Sequence, residues 1–182
     1  MRTLKYLFYC SVVLALLVGV PSRGSLNEAA PAPQVTFTAT PMKKAFVLNE
    51  KVTFRFTIKN ESESEVLVSP AFILNYDVYL EIQSTAGKVI PWCGVNARRI
   101  FLGDKYVKLS AGKTLSMERP VSCDDSHDSG YAFSEIGDYV VNATYRFPVS
   151  PKKLRDNPGP VAFALGPHKA QPVHFAIVAK GP

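Results

Sequence analysis

The stretch Cys123-Asp124-Asp125-Ser126-His127-Asp128-Ser129-Gly130 gathers cation ligands and proton acceptors into one short segment. Asp124, Ser126 and Asp128 stand at alternate positions, and Glu135 follows Asp124 by eleven residues. Oxygen ligands at positions 1, 3, 5 and 12 are the arrangement of a calcium loop, where carboxylates replace water around a hard cation. Here Ser129 holds the sixth position, where that loop uses glycine for a sharp turn, and no helical pattern flanks the segment. Two readings follow: calcium held by Asp124, Ser126, Asp128 and Glu135, or a solvated acidic loop. His127 adds a third, a transition-metal site. No other cofactor is expected.

Catalytic chemistry finds less support. Ser126 and His127 are adjacent, and neighbouring side chains rarely point at one another, so they are no nucleophile–base pair. A triad is recognised by its geometry, and no nucleophile elbow is present to anchor one. The three histidines are scattered, and His174 alternates with apolar Val173 and Phe175, which directs it to solvent. The chain is therefore expected not to be an enzyme. A basic stretch, Arg98, Arg99, Lys105 and Lys108, is interleaved with Ile100, Phe101, Leu102 and Tyr106. It reads either as a binding edge for an acidic partner or polysaccharide, or as a loop that buries its apolar residues and solvates its charges. Asn60-Glu61-Ser62 and Asn142-Ala143-Thr144 match glycosylation acceptors, relevant only to a eukaryotic secretory route.

Compartment comes from the first residues. Arg2 and Lys5 precede an apolar run, Leu7 to Val20, that Pro21 ends. The run is short for a bilayer span and suits a secretory signal. Residues 1–24 are read as that signal and 25–33 as a stiff lead-in containing Pro31 and Pro33. The domain is placed at 34–182. Localisation is expected to be secreted, periplasmic or cell envelope, with membrane attachment only if the signal stays uncleaved. Removing 1–24 takes away Arg2, Lys5 and Arg23, so 21 basic residues become 18 against 15 acidic ones, and the net charge falls from +6 to +3. A nucleic-acid footprint needs a clustered surplus of charge, so that partner class is not expected. Another exported or envelope protein is. Cys10 leaves with the signal. Cys93 and Cys123 remain, and in an oxidising compartment an even pair reads as a disulfide worth about 3–4 kcal/mol. Free thiols, or a metal site completed by His127, are the alternatives.

The elements that must position these residues are strands. Val35, Phe37 and Ala39 alternate with threonines; Phe54, Phe56 and Ile58 alternate with Arg55, Thr57 and Lys59. The same period of two recurs over Tyr76–Ile82 and Tyr139–Phe147. Alternate side chains point to opposite faces, so each segment offers one face to a core and one to water. Shorter candidates lie at Val66–Ser69, Lys105–Leu109, Leu115–Val121 and Val173–Ala179. Turns are read at Thr85–Lys88, where Gly87 supplies positive φ, at Ala111–Lys113 and at Ile136–Asp138. The Pro- and Gly-rich segment 150–172 has no period and reads as a long surface loop. The expected fold is all-β, an immunoglobulin-like antiparallel β-sandwich of about seven to nine strands. Trp92 sits beside Cys93, unlike the antibody arrangement, in which a tryptophan packs on an inter-sheet bridge. Gly137-Asp138-Tyr139 fits a tyrosine corner or an ordinary core tyrosine.

The order of Phe54-x-Phe56-x-Ile58-x-Asn60, Tyr76-Asp77-Val78, Gly87-Lys88-Val89, Tyr106–Lys113, Tyr131-Ala132-Phe133-Ser134 and Gly137–Val141 resembles the immunoglobulin-like domain that accompanies deuterolysin-type and peptidyl-Lys metallopeptidases. More loosely it is similar to the intracellular proteinase inhibitor family. The resemblance spans roughly Val35–Val178 and implies an immunoglobulin-like sandwich, with a proteinase inhibitor or protease-associated domain as the function it suggests. The leading expectation, a binding or interaction module of unknown partner, comes instead from the missing catalytic chemistry on a fold that commonly serves recognition. A weak calcium- or carbohydrate-binding module is the other alternative. The zinc-binding His-Glu-x-x-His of the peptidases does not occur in the chain.

Overall fold

Wherever the sequence alternates, the chain is extended. The computed structural model describes residues 34–69, 77–93, 106–123, 130–146, 162–163 and 166–181. Eleven strands run through them: β1 (Val35–Pro41), β2 (Ala45–Val47), β3 (Thr53–Asn60), β4 (Val66–Val68), β5 (Val78–Ser84) and β6 (Val107–Leu109). Then come β7 (Thr114–Pro120), β8 (Gly137–Tyr145), β9 (Ala162–Phe163), β10 (His168–Lys169) and β11 (Val173–Val178). No helix occurs among the described residues. The signal and lead-in readings, 1–24 and 25–33, lie outside them.

Strand order assigns the class. One sheet is β1-β3-β7, antiparallel throughout. A second places β8 between β5 and β11, and β2 lies parallel to β11 on its far side. This is the A-B-E and C-F-G division of an immunoglobulin-like sandwich, with the short β2 carrying the first strand across to the last. The two faces meet through aromatic rings. Phe37 of β1 lies 6.0 Å from Tyr145 of β8, and Phe54 of β3 meets Phe175 of β11 edge-on at 5.5 Å. Phe133 packs edge-on against Tyr139 and Phe175. Burying each such ring stabilises the fold by about 1.5–3 kcal/mol, so these contacts dominate the core.

Polar groups fix the ends of the strands. Asn60 closes β3 and is fully buried. Its Nδ2 donates to the carbonyls of Ser64 at 2.7 Å and Leu109 at 2.9 Å, and its Oδ1 accepts from the Ser62 backbone N–H at 3.0 Å. One side chain thus shapes the turn after β3 and ties it to β6. The amide cannot serve as a glycosylation acceptor while it makes these bonds. Tyr139 Oη donates to the Glu135 carbonyl at 2.6 Å, four residues upstream, which is the tyrosine-corner bond. Asn49, at φ 69°, occupies the tight turn Val47–Glu50, a conformation asparagine tolerates better than most residues.

The structure corrects three expectations. The segment 150–172 is not loop throughout. It contains β9, parallel to β4, and β10, antiparallel to β8. His168 faces Tyr145 and Lys169 faces Thr144, whereas Val173 faces Val141. The register slips by one residue between them, so β10 and β11 are one strand interrupted by a bulge at Ala170–Pro172. Pro167 and Pro172 bracket β10 and hide it from any periodicity count. Second, β2 is too short, at three residues, to show a period. Third, the strand count exceeds nine because β2, β9 and β10 add to the eight segments read from the sequence; β9 joins β4 and β6 in a small extra sheet. Val66–Val68 is buried along its whole length, the mark of a strand covered on both faces.

Candidate functional site

β7 lies at a margin of the first sheet. Its register with β3 sets Leu115 opposite Ile58, Met117 opposite Phe56 and Arg119 opposite Phe54. Directly opposed residues share a face, so Arg119 points to the same side as the buried phenylalanines. An inward-pointing charge on a margin strand is one device that keeps such an edge from pairing with another chain. Burial holds the Arg119 guanidinium down at about 10, with the nearby Tyr131 hydroxyl acting in the opposite direction.

Beyond β7 the chain enters a compact cross-connection. Val121 N–H donates to the Val52 carbonyl at 2.8 Å, and Val52 N–H donates to Ser122 Oγ at 2.9 Å. From the other sheet, β5 turns at Thr85–Gly87, with Gly87 at φ 84°, and returns through Ile90, whose N–H donates to the Ile82 carbonyl at 2.9 Å. The returning segment pairs Trp92 with Tyr131, and Tyr131 pairs in turn with Ser122. Cys93 N–H donates to Gly130 O at 2.9 Å, Tyr131 N–H to Val121 O at 2.7 Å, and Cys123 N–H to Tyr131 O at 3.1 Å. Cys93 and Cys123 are joined by a disulfide, with Cα atoms 6.5 Å apart. Gly130 is required here: a Cβ would come within 2.5 Å of the Ser122 carbonyl carbon.

The result is a clamp that carries aromatic rings across the gap between the sheets. Trp92 and Tyr131 meet edge-on at 5.1 Å. Tyr131 Oη donates to the Leu80 carbonyl of β5, and burial pushes its phenol upward, against the pull of Arg119. Beneath the two rings is an open cavity of about 260 Å³, lined by Val78, Tyr79, Leu80, Trp92, Arg119 and Tyr131. Arg146 stacks over the ring of Tyr79, one of the lining residues, 5.0 Å from the centroid. Trp92 remains 37% exposed. A larger groove of about 600 Å³ runs between β1 and the β10–β11 line, walled largely by threonines and other small residues.

Of the residues expected from sequence, Cys93 and Cys123 are brought together. Asp124, Ser126, His127 and Asp128 lie outside the described residues, as do Arg98, Arg99 and Lys105. The two segments that contain them, 94–105 and 124–129, both start at the clamp cysteines. Glu135 pairs with Lys88, and its carbonyl receives the Tyr139 hydroxyl. Lys108 projects from β6 toward Glu65 at 3.4 Å. His174 is exposed on β11. Among the described residues no three metal-ligating side chains converge. Sequence reading passed over Arg119 and Tyr131. The signal for Arg119 was present: Leu115, Met117, Arg119 and Val121 share one parity, and a charge in an apolar series marks a position to question.

No protein-family model matches the chain, and no curated protein matches it. Neither comparison ties it to metallopeptidase-associated domains or to proteinase inhibitors. Among solved structures, the solution structure of the CARDB domain of a Pyrococcus furiosus protein is 14% identical, covering 82% of this chain and 98% of that one, with a TM-score of 0.35. The crystal structure of the same domain, described as in complex with di-metal ions, gives 14% identity, 82% and 96% coverage, and a TM-score of 0.35. A β-glucosidase from Erythrobacter marinus is 14% identical with a TM-score of 0.35; the match covers 80% of this chain but only 16% of the enzyme. The class of the fold rests on the strand order and register given above.

Proposed function

We propose that this chain is an exported, non-enzymatic immunoglobulin-like module that binds another extracellular or envelope protein through the margin between β5 and β7. The observation that carries the reading is the convergence of Trp92, Tyr131 and Arg119 on one open cavity. Tryptophan, tyrosine and arginine are the residue types that dominate binding energy at protein interfaces, because they desolvate large surfaces and still offer directed hydrogen bonds. The clamp supports the same reading. It spends a disulfide and a no-Cβ approach on holding two rings and two segment starts in fixed relation, which lowers the ordering cost of binding. Export is supported by the disulfide, a bond that persists in oxidising compartments. The described polar groups nearest to chemistry hold the scaffold instead: Ser122 accepts from Val52, and Glu135 anchors Tyr139 and Lys88.

A photo-crosslinking amino acid placed at Glu81, on β5 and close enough to act electrostatically on Tyr131, tests the proposal. The control position is Thr57, on the outer face of the first sheet. Crosslinking to one identified protein in the native extracellular fraction, from Glu81 and not from Thr57, is the expected result. Equal labelling from both positions, or none from Glu81, overturns the assignment of this surface.

A further inference from the structure

We propose that the groove beside β1 takes an extended acidic peptide of a partner protein as an added strand, its carboxylate facing Lys169. The inference goes beyond the reading of the β5–β7 margin and does not depend on it, because β1 is the margin of the first sheet opposite to β7. Antiparallel neighbours alternate between pairs that exchange backbone bonds and pairs that do not. Two bonds fix that alternation for β1. Glu61 N–H donates to the Gln34 carbonyl at 2.9 Å, and Met42 N–H donates to the Thr53 carbonyl at 2.9 Å. Even-numbered residues from 34 to 42 therefore bond to β3, and Val35 and Ala39 turn their N–H and C=O groups away from it. Among the described residues no strand pairs with that side of β1. The edge also lacks the devices that keep sheet margins from pairing. Its register with β3 runs without a bulge, it carries no charge, and its proline stands only at the last position, Pro41.

The groove has the dimensions of a strand. Its volume is about 600 Å³, and it follows six successive residues of β1, Val35 to Thr40, with the β10 line from Pro167 to Val173 as the other wall. At about 3.3 Å per residue those six span about 17 Å, the length of an ordinary short strand. A strand laid there satisfies the turned-out groups of β1, and main-chain bonds of this kind give affinity without demanding one sequence. Charge selects among such strands. Among the described lining residues Lys169 alone carries a fixed charge, and it is exposed. Glu61, which the Thr36 hydroxyl reaches at 3.4 Å, is already paired with Lys59 at 2.9 Å. A second copy of this chain is the poorer occupant. Two-fold pairing sets the same groove against itself and brings Lys169 of both copies to one seam, where like charges repel. A partner strand with an aspartate or glutamate meets Lys169 with the opposite charge.

The purified protein, disulfide intact, is titrated at low ionic strength with acetyl-Thr-Val-Glu-Val-Thr-Val amide, and with the same peptide carrying lysine in place of glutamate. Backbone amide shifts and amide hydrogen exchange are followed by NMR. We expect saturable binding of the glutamate peptide and binding of the lysine peptide weaker by about threefold or more, the scale of an exposed ion pair exchanged for a repulsion. Lys169→Glu should reverse that preference. At saturation the amides of Val35 and Ala39 should exchange at least tenfold more slowly, while those of Thr36 and Thr38, bonded to β3, keep their rates. Ala39→Pro removes one turned-out N–H without costing a bond to β3, and it should weaken the glutamate peptide at least threefold. If that variant fails to fold, Val35→Pro makes the same test at the start of the strand. No saturable binding of the glutamate peptide, or equal affinity for the two peptides, overturns the proposal. So does an unreversed preference in Lys169→Glu, binding that leaves the exchange of Val35 and Ala39 unchanged, or wild-type affinity in a folded proline variant. A dimer in sedimentation that protects the same two amides without peptide gives the edge to a second copy and overturns it as well.

Discussion

Replacing Arg119 by methionine should make the domain more stable while removing its binding. On β7 the inward series is Leu115, Met117 and Arg119, opposite Ile58, Phe56 and Phe54, so methionine continues an apolar row. Burial holds the arginine at about 10, well below its ordinary range. Each pKa unit corresponds to about 1.4 kcal/mol, so the environment sets about 3 kcal/mol against the charged form. Methionine escapes that cost but forfeits the interaction arginine makes, worth about 1–2 kcal/mol. The expected net gain is about 1–2 kcal/mol at pH 7. At about 2–4 °C per kcal/mol for a domain of this size, the midpoint should rise measurably. The sign also fixes a pH dependence. A base with a depressed folded pKa carries its full penalty below that pKa and loses it as pH rises toward the ordinary value. The gap between variant and wild type should therefore narrow above about pH 10. Urea unfolding followed by far-ultraviolet circular dichroism at pH 7 and pH 10.5 measures both. A loss of more than about 1 kcal/mol in Arg119→Met would refute the reasoning, because arginine would then be a strut of the fold and not a cost borne for binding.

Asn60→Ala should cost about 1–3 kcal/mol in urea unfolding, since it strands the buried Leu109 carbonyl; a loss below about 1 kcal/mol would mean water replaces the amide. Cys93→Ser with Cys123→Ser should lower stability by about 3–4 kcal/mol and abolish the specific crosslink from Glu81; an unchanged crosslink would show that the rings hold their places without the bridge. Tyr131, Tyr139 and Tyr145 all have phenols raised by burial, so their contribution to stability should be constant below pH 10 and be lost as pH rises above it, with the 295 nm tyrosinate signal appearing together with unfolding. Tyrosinate formation with a retained fold would contradict that order.

Long two-period strands were legible because one residue in two is bound to the core: Phe54, Phe56 and Ile58 in β3, and Tyr139 through Tyr145 in β8. The disulfide was legible from compartment alone. What the sequence concealed was held by tertiary partners rather than by local pattern. β2 exists because β11 runs beside it, and β10 because β8 extends past the bulge. The Trp92–Tyr131–Arg119 cavity was concealed for a different reason. Its residues come from β5, the returning segment before Cys93, β7 and the segment after Gly130, and no spacing connects them. Loud composition drew attention to Asp124–Asp128 and Arg98–Lys108 instead. Only the parity of Arg119 carried a local hint, and parity identifies an odd residue without saying what gathers around it.

The parallel pairing of β2 with β11 joins almost the first described strand to the last. Ala176, Ile177 and Val178 lie beside Ala45, Phe46 and Val47, and β11 also covers β8. β11 leaves the ribosome after every other described strand. Until then the second sheet lacks its penultimate strand, Phe54 and Phe46 lack Phe175, and no stable sandwich can close. Contacts of such long sequence separation also form slowly. The seam between β2 and β11 acts as a timer: it keeps the polypeptide pliable until β11 arrives, and then commits it to folding.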